Sequence, residues 1–526
     1  MIRLRQIEIG IDAGKEELLN KCANKLKIDK SQIENIEIKK QSIDARDKKK
    51  IFYCYEVDIK VKNEKKVLGK VRSKDIFHSP NEEYIFKITG TKKLQYRPII
   101  IGSGPAGLFC GYMLAKYGYK PLILERGECV ENRIKAVKEF WEQGKLNKNT
   151  NVQFGEGGAG TFSDGKLNTL IKDKEFRKKK VLEIFVEAGA PKEILYMSKP
   201  HIGTDKLREV VKNLRNKIMQ MGGEIRYNSC LTDIKIENSK IKYIEINNQE
   251  KLNAEVVILA IGHSARDTFK MLNKNNIPME AKPFAVGLRV QHDQDMINFA
   301  QYGGQKNKLP PASYKLTFHS RSGRGVYSFC MCPGGYVVNA SSEETKLVIN
   351  GMSDFKRDSQ NANSAIVVTV SPNDFENKLF GGMEFQEMLE QKAYEIGSGK
   401  IPIQLLGDFI ENKKSTMFGD VKPVFKGNFQ FANLQEILPD FVIEPLKEAF
   451  PAFEKKIKGF SNSDAILAAV ETRTSSPIRI KREENGESKI QGLFPAGEGA
   501  GYAGGIMSAA IDGIKAAENI AAIFKK

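Results

Sequence analysis

The spacing of apolar side chains predicts a small unit of mixed structure at the start of the chain. Helical spacing at Leu18, Cys22, Ala23 and Leu26 predicts a helix over 15–26. Alternating apolar and polar positions predict strands over 2–11, 33–43, 51–61 and 83–88. The polar residues 90–97 predict a connector. We therefore expect residues 1–96 to form an N-terminal α+β domain.

From residue 97 the hydrophobic pattern changes twice. Between 97 and 261 apolar strands alternate with helical stretches, which is typical of a parallel sheet with crossover helices. From about 282 onward β-like runs predominate (284–290, 336–340, 365–370), with helical stretches at 384–396 and 437–456. Residues 463–526 return to the first pattern. We predict an α/β fold whose discontinuous main domain, 97–281 and 463–526, carries an inserted α+β substrate domain at 282–462.

Length and composition agree with this domain organisation and disfavour some classes of protein. At about 100–200 residues per domain, the 526 residues suit three domains. Apolar runs stay below the ~18–20 residues of a membrane span, and the first residues lack a signal-peptide core. The seven cysteines and five histidines show neither zinc-site spacing nor a disulfide framework. We expect a cytoplasmic protein without a metal site or a membrane contact.

The net charge of +18 raises the question of an anionic partner. Residues 1–97 hold 24 Lys and Arg against 15 Asp and Glu, so half of the excess lies in under a fifth of the chain. However, 64 of the 83 basic residues are lysine, which favours solvated lysine-rich surfaces over arginine-based phosphate recognition. The N-terminal domain is therefore either an RNA platform or a packing domain, and the sequence favours packing.

A glycine-rich turn between a strand and a helix carries the most specific motif. The segment PIIIGSGPAGLF begins at residue 98 and places Gly102, Gly104 and Gly107 in the spacing GxGxxG. Gly102 permits the tight turn, Gly104 lets backbone approach a pyrophosphate, and Gly107 lets the following helix pack on the strand. The next strand ends at Glu125, where a carboxylate suits the hydroxyls of an adenosine ribose. The turn predicts a bound dinucleotide.

Later glycine-rich segments bear on which dinucleotide is bound. The loop 155–167 could lie against a flat ring system or be a flexible surface loop. The apolar strand 252–263 runs into Gly262. The segment 492–506 contains a second GxGxxG at 499–504, but too few residues follow it for another nucleotide-binding unit. It fits better as a second helix N-terminus directed at the same cofactor.

Together with Glu125, Arg126 and the segments just described, several further motifs carry a family resemblance. They are SIDAR (42–46), FGEGGAGTFSDGKL (154–167), KPFAVGLRV (282–290), GRGVYSFCMCPGG (323–335), NGMS (350–353) and ETRTSSPIRI (471–480). The chain resembles the glutathione-reductase-like FAD fold and, more narrowly, the bacterial FAD-dependent dehydrogenases of uncharacterised function, also called NAD(FAD)-utilizing dehydrogenases. The motifs span nearly the whole chain.

This resemblance implies non-covalent FAD and a set of residues that bind it. Residues 157–161 and 505–506 are then expected near the flavin ring, Glu498 near the ribityl chain or pyrophosphate, and Leu231 at the adenine through its backbone. The resemblance does not imply a substrate. The full set is Gly102, Gly104, Pro105, Ala106, Gly107, Glu125, Arg126, Arg133, Gly157, Gly158, Ala159, Gly160, Thr161, Leu231, Ala260, Gly262, Gly497, Glu498, Gly504, Gly505 and Ile506.

Five side chains are candidates for facing the substrate. Lys166 could activate an acceptor or bind a carboxylate, or it could be a solvated lysine. Arg473 could clamp an anionic substrate, or it could pair with Glu471 or another acid. His263 could act in catalysis, although a structural or phosphate-proximal role is commoner. Cys330 and Cys332 could form a dithiol near the flavin, because a disulfide across one residue would be oxidising, or they could be two buried thiols.

The sequence thus predicts an FAD-dependent oxidoreductase that transfers hydride between its flavin and an unidentified small organic substrate. NAD(P)H could act as a transient electron donor, but the glycines at 397–399 follow a predicted helix and lack the third glycine of a fingerprint. Two other classes stay open. One is a flavin-dependent RNA-modifying enzyme anchored by the basic N-terminal domain, and the other is a non-catalytic FAD-binding protein.

Overall fold

A computed structural model describes residues 1–71 and 73–526 of the chain. The helices of these residues lie at Lys15–Leu26, Glu64–Lys70, Pro105–Lys116, Val130–Gln143, Arg177–Glu187, Thr204–Gln220, Arg266–Lys274, Gln294–Tyr302, Gly381–Ile396, Leu406–Ile410, Asp440–Glu454 and Ile506–Ile523.

A parallel sheet forms the centre of the main body, as the alternating pattern predicts. Its strands, in spatial order, are Leu493–Pro495, Val257–Leu259, Ile99–Ile101, Leu122–Leu124 and Glu224–Arg226. All of these strands except Glu224–Arg226 are three residues long, apolar and completely buried. Burial on both faces of the sheet explains their uninterrupted apolar sequences. This is the Rossmann-like arrangement expected for a dinucleotide-binding fold.

Both faces of the parallel sheet are covered. On one face the helices Pro105–Lys116 and Ile506–Ile523 pack together in one apolar core. On the other face lies an antiparallel sheet with strands at Leu231–Glu237, Lys240–Ile246 and Glu250–Asn253. Its inward side chains, such as Ile234 and Ile244, are fully buried against the central strands. The sequence pattern did not separate this antiparallel sheet from the crossover units.

A second, mostly antiparallel sheet forms the other large core. Its strands, in spatial order, are Thr317–His319, Gly325–Cys332, Asn361–Val370, Phe284–Asp293, Ile466–Glu471, Ile401–Leu405 and Phe429–Phe431. A smaller sheet of Ile349–Ser353, Gly335–Asn339 and Phe425–Lys426 lies beside it, and Met279–Ala281 pairs with Ile478–Ile480. Helices Gly381–Ile396 and Asp440–Glu454 pack on the large sheet.

One sequence expectation for this region needs correction. We expected the chain to return to the first domain, with its alternating strands and helices, at residue 463. Instead Ile466–Glu471 is a strand that pairs with Phe284–Asp293 and Ile401–Leu405 inside the second sheet. All six of its residues are buried, so the apolar run reflects a central strand rather than one face of a helix.

The N-terminal unit is a sheet covered by the helix Lys15–Leu26. Its described strands, in spatial order, are Ile33–Asp44, Phe52–Val61, Ile2–Gly10 and Ile76–His78. The expected strand at 83–88 is wrong, because the fourth strand is Ile76–His78 and 83–88 runs outside any sheet. Its apolar side chains serve tertiary packing instead: Phe86 stacks on Tyr117 with ring centroids 4.1 Å apart. The helix Glu64–Lys70 was also missed.

The N-terminal unit packs against the rest of the chain. Ile51 is buried in the core of the second sheet, and Ile43 and Tyr53 lie against the same core. The backbone N–H of Gln41 donates to Tyr196 O at 2.8 Å. These contacts agree with the packing role that the sequence favours. Among the described residues, there is neither a helix with the length and apolarity to span a membrane nor a cluster of metal-ligating side chains.

Candidate functional site

A cavity opens where the parallel sheet meets the second sheet. Its wall comes from segments that are hundreds of residues apart: the fingerprint turn, the glycine loop, the strand end at 260–264, the late segment 496–509, and side chains of the second sheet. Carboxyl ends of parallel strands are the usual binding edge of such sheets. The fold therefore brings together most of the segments that the sequence singled out.

The fingerprint turn depends on glycine at two positions. Gly102 has φ +98°, and a Cβ atom there would lie 2.4 Å from Ala260 O. A Cβ at Gly107 would lie 1.9 Å from Gly102 O, so a side chain would force the helix away from the turn. The helix begins with Pro105 at its first turn, where a missing N–H costs nothing. Gly104, Pro105 and Ala106 at the start of this helix line the cavity, so its free N–H groups are available to a ligand there.

Glu125 is a buried carboxylate at the end of the neighbouring strand. One of its oxygens accepts hydrogen bonds from Ser103 N at 2.9 Å and Ser103 Oγ at 2.7 Å. The other accepts from Gly127 N at 3.0 Å and Gly155 N at 3.1 Å. Glu125 therefore ties the fingerprint turn to the glycine loop while its side chain also lines the cavity.

The glycine loop is held by a buried arginine. Arg133 is fully buried, and its guanidinium donates to the carbonyl oxygens of Asn151, Val152, Gly155, Glu156 and Gly158 at 2.7–3.2 Å. Burial lowers the pKa of this guanidinium, and the carbonyl dipoles take the place of water around its charge. The loop is thus an ordered wall, contrary to the alternative of a flexible surface loop.

Backbone contacts close the three glycine segments onto one another. Gly157 N donates to Ser103 O at 2.9 Å. A Cβ on Gly158 would lie 3.0 Å from Gly104 Cα, and one on Gly160 would lie 2.9 Å from Ile506 Cγ1. The loop therefore lies directly between the fingerprint turn and the start of the late helix Ile506–Ile523.

One end of the cavity offers an aromatic and cationic wall. The Arg126 guanidinium lies 4.4 Å from the ring centroid of Phe154 and pairs with Asp267 at 3.0 Å. Thr268 Oγ1 accepts a further hydrogen bond from Arg126 at 3.0 Å. Leu231 lines the same cavity at the start of its strand.

His263 and Glu498 form a pair at the strand end. His263 Nδ1 lies 2.8 Å from Glu498 Oε1. Burial raises the pKa of Glu498, but His263 and the Gly505 N–H outweigh it, so the net pKa is lowered and the carboxylate stays charged. His263 Nε2 is buried and lacks a partner among the described residues. A buried ring nitrogen on a cavity wall is free to bond to a ligand.

Lys166 belongs to a second, partly buried charge cluster on the cavity wall. Its Nζ lies 3.0 Å from Asp164 Oδ2 and 3.9 Å from Cys332 Sγ. Asp164 also accepts from Arg357 at 2.5 and 2.8 Å. Burial disfavours the charge on Lys166, but Asp164 and the nearby thiols raise its pKa on balance. Lys166 is therefore a held cation on the cavity wall rather than a solvated lysine.

Arg473 is an ion-pair partner, one of the two alternatives that the sequence left open. Its guanidinium donates to Glu390 at 3.0 and 2.9 Å and to Ser342 Oγ at 2.7 Å. Glu390 also accepts two hydrogen bonds from Arg266, both at 2.9 Å. Glu471, the partner named from sequence, pairs with Arg289 instead, at 3.0 Å. Three of the five N–H groups of Arg473 are therefore engaged within the protein, and Glu390 compensates its charge.

Most of the residues expected to bind the cofactor line the cavity. They are Gly102, Gly104, Pro105, Ala106, Glu125, Arg126, Gly158, Ala159, Gly160, Leu231, Ala260, Gly262, Gly497, Glu498, Gly505 and Ile506. Of the substrate candidates, Lys166, His263, Cys330 and Arg473 line it too. Outside the lining lie Gly107, Arg133, Gly157, Thr161, Gly504 and Cys332. Gly107, Arg133 and Gly157 support the wall from behind.

Several further residues of the cavity wall were not predicted from the sequence. Asp164 and Asn350 lie inside motifs that carried the resemblance, but their roles had no local signal. Gln153, Phe154, Thr268 and Phe329 also line the cavity. Their participation follows from tertiary packing, which a single sequence does not display.

Comparisons with known proteins match this chain to families of FAD-dependent proteins and pyridine-nucleotide oxidoreductases. The family described as "Pyridine nucleotide-disulphide oxidoreductase" matches residues 96–301, and "FAD-dependent protein, C-terminal domain-like" matches residues 283–474. A domain of unknown function matches residues 1–60. An uncharacterized protein of Clostridium beijerinckii is 49% identical over 526 residues, covering 99% of this chain and 98% of its own.

Solved structures show a weaker likeness. L-proline dehydrogenase from P. horikoshii covers 82% of this chain and 94% of its own, with 14% identity and a TM-score of 0.33. CtdE in complex with FAD covers 81% of this chain and 84% of its own, with 10% identity and a TM-score of 0.32. At such values the likeness carries neither a substrate nor a reaction to this chain.

The chain belongs to a family of FAD-dependent oxidoreductases, and its relative from Clostridium beijerinckii is uncharacterised. FAD is the cofactor. Two features of the site fit it: a cradle of glycines that side chains would fill, and the buried, unpartnered Nε2 of His263 among the described residues.

Proposed function

We propose that the chain is a dehydrogenase that oxidises a small organic molecule at a single non-covalent FAD. In this proposal it is one of the bacterial FAD-dependent dehydrogenases whose motifs it shares. The observation that carries the proposal is the convergence of the fingerprint turn, the glycine loop and the late helix start on one cavity, whose wall also contains Lys166.

The dinucleotide half of the cofactor would lie along the fingerprint turn. Gly102, Gly104 and the N-terminus of Pro105–Lys116 would hold the pyrophosphate. Glu125 would hold the ribose hydroxyls, which requires it to exchange some of its present hydrogen bonds for them. Arg126 and Leu231 would border the adenine. His263 Nε2 would donate to, or accept from, the central part of the cofactor.

The flavin, when it is bound, accepts or donates an electron pair. Gly158–Gly160 and the N-terminus of Ile506–Ile523 would border the ring, where the positive end of the helix dipole favours negative charge. The remaining wall would bind substrate. Lys166 can meet a carboxylate or a developing oxyanion there, because its partner Asp164 also neutralises Arg357.

The electron donor in this proposal is the organic substrate. A nicotinamide nucleotide would have to bind without a fingerprint of its own, since Gly397-Ser398-Gly399 terminates the helix Gly381–Ile396 and does not follow a strand. NADH and NADPH are therefore competitors to be tested alongside organic substrates.

Anaerobic reduction of the FAD-loaded protein tests the proposal. We expect a panel of small carboxylic and amino acids to include a compound that bleaches the flavin absorbance faster than NADH or NADPH. Replacement of Lys166 by Met is expected to slow that reduction by about 10²–10³-fold without releasing the flavin. Flavin that none of these compounds reduces would favour a non-catalytic FAD-binding protein.

A further inference from the structure

Beside the cavity lie two cysteines that the proposed function does not use. Cys330 lines the cavity beside Phe329 and Asn350, and Cys332 is buried behind it. Both are free thiols. Cys332 Sγ lies 3.9 Å from Lys166 Nζ, so the pair belongs to the same charged cluster as the lysine.

The backbone is irregular at this pair. In a regular strand, the Cα atoms of residues i and i+2 lie about 6.6 Å apart. This distance is near the upper limit for a disulfide. Here the strand Gly325–Cys332 contains a bulge: Phe329 pairs with Ala365, whereas Cys332 pairs with Asn363. Cys330 within the bulge has φ +43°, which is uncommon for a residue with a side chain. Such conformations concentrate at functional sites.

Two cations stabilise negative charge on the exposed member. The Cys332 Sγ–H donates a hydrogen bond to Cys330 O at 3.3 Å, which keeps the two residues side by side. The neighbouring Cys332 side chain, Lys166 and Arg289 together lower the pKa of the Cys330 thiol despite its burial. Arg289 also donates to Cys330 O at 3.1 Å. The acids in the surroundings, Asp164 and Glu471, act against this charge but are each paired with a cation. Cys330 is therefore the more acidic thiol of the pair.

We propose that Cys330 and Cys332 form a dithiol–disulfide couple that exchanges one electron pair with the flavin, an inference that rests on the proposed function for its electron partner. On oxidation the Cys330 thiolate and the Cys332 thiol form one S–S bond. They lose two electrons and the Cys332 proton, all of which pass to oxidised FAD. The reverse step breaks the bond and restores the thiolate and the thiol.

Anaerobic reductive titration of the FAD-loaded full chain counts the electrons that the couple holds. After mild oxidation we expect the unaltered protein to take up two electron pairs, one for the flavin and one for the disulfide. The variant with both Cys330→Ser and Cys332→Ser should take up one pair. Cys54→Ser, a change of a partly buried thiol in the N-terminal sheet, should still take up two. Equal uptake by the unaltered chain and the double variant would overturn the proposal.

Peptide mapping of the flavin-free full chain separates this inference from the proposed function. After treatment with diamide, the peptide from Gly325 to Lys346 should resist alkylation and weigh two hydrogens less. Before oxidation, iodoacetamide at pH 7 should modify Cys330 at least about 10-fold faster than Cys54, whose pKa burial raises. Absence of the intramolecular disulfide overturns the couple whether or not FAD binds. A chain that forms the disulfide but binds no FAD overturns the proposed function and flavin as the partner.

Discussion

At the scale of single residues, several buried charged side chains beside the cavity are paired with side chains of opposite charge. Glu390 is completely buried and holds both Arg266 and Arg473, and Arg289 pairs with Glu471 in the same region. Charges of this kind are costly to bury unless hydrogen bonds replace water. The arrangement explains why Arg473 faces the cavity but is a poor candidate for binding a substrate.

Replacement of Glu390 by Gln tests this arrangement. The variant leaves two buried guanidinium groups without their shared carboxylate, so we expect a loss of about 3–5 kcal/mol in the free energy of unfolding. The exposed Glu395 on the same helix provides the control, and Glu395→Gln should change stability by less than about 0.5 kcal/mol. Chemical denaturation measures both. Equal stability of the two variants would contradict the account.

The same carboxylate should make stability depend on pH. Burial raises the pKa of Glu390, but Arg473 and Arg266 outweigh it and lower the pKa overall. Its stabilising contribution is then complete above the unfolded-state pKa of about 4.3 and is lost as the pH falls below that value. We expect Glu390→Gln to have a flatter stability profile than the unaltered chain between about pH 5 and pH 3. We would measure the free energy of unfolding by chemical denaturation at each pH. The same dependence of this free energy on pH in both proteins would contradict the prediction.

Residue roles divide sharply into those the sequence could predict and those it could not. The fingerprint glycines carry a local conformational requirement that the spacing displays, and they lie where it predicts. Arg133 has no such signal, because its five carbonyl partners are assembled only by the folded loop. The partner of Arg473 is likewise a contact between residues 83 positions apart.

At the scale of elements, the close approach of helices and turns positions the cavity wall. The helices Pro105–Lys116 and Ile506–Ile523 touch so closely that a Cβ at Gly513 would lie 2.1 Å from Ala106 O. Ile506 at the start of the late helix in turn contacts the glycine loop at Gly160. A change in helix packing is therefore transmitted to the cofactor wall.

Gly107→Ala tests this coupling. Its Cβ would collide with Gly102 O, so the helix must shift, and we expect FAD affinity to fall at least about 10-fold, or about 1.4 kcal/mol. Gly69→Ala is the matched control, because nothing lies within 4 Å of its Cβ and the helix Glu64–Lys70 tolerates alanine. Flavin fluorescence titration measures the affinity. Unchanged affinity in Gly107→Ala would argue against a tight turn at the pyrophosphate.

Elements with a clear hydrophobic periodicity were predicted well. Elements whose conformation depends on contacts with distant parts of the chain were not. The helix Lys15–Leu26 was predicted to the residue because one apolar stripe faces its sheet. The strand Ile466–Glu471 was misplaced because its first five residues are all apolar, and such a run has no period to reveal its partners. The run 83–88 was mistaken for a strand, although its aromatic side chains pack on a distant helix.

At the scale of the whole molecule, the N-terminal unit completes the second core rather than standing apart. Ile51 is 7% exposed within that core, and Lys308 forms an ion pair with Asp12 at 2.8 Å. This contact gives the basic unit a structural role that does not need a nucleic acid.

Deletion of residues 1–79 distinguishes the two roles. Exposure of the covered apolar surface should lower the thermal midpoint by at least about 5 °C. Retention on immobilised RNA at low salt should be weak and unchanged by the deletion. Strong, salt-dependent RNA binding that disappears with these residues would instead support a flavin-dependent RNA-modifying enzyme.

The central claim is that one FAD lies across the fingerprint turn, the glycine loop and the late helix. Titration of flavin-free protein with FAD, followed by flavin absorbance after gel filtration, tests it most directly. We predict one retained FAD per chain, with affinity reduced at least about 10-fold by Glu125→Ala, which removes the carboxylate that joins turn and loop. A folded chain that retains no FAD, or that binds it equally well without Glu125, would contradict the account.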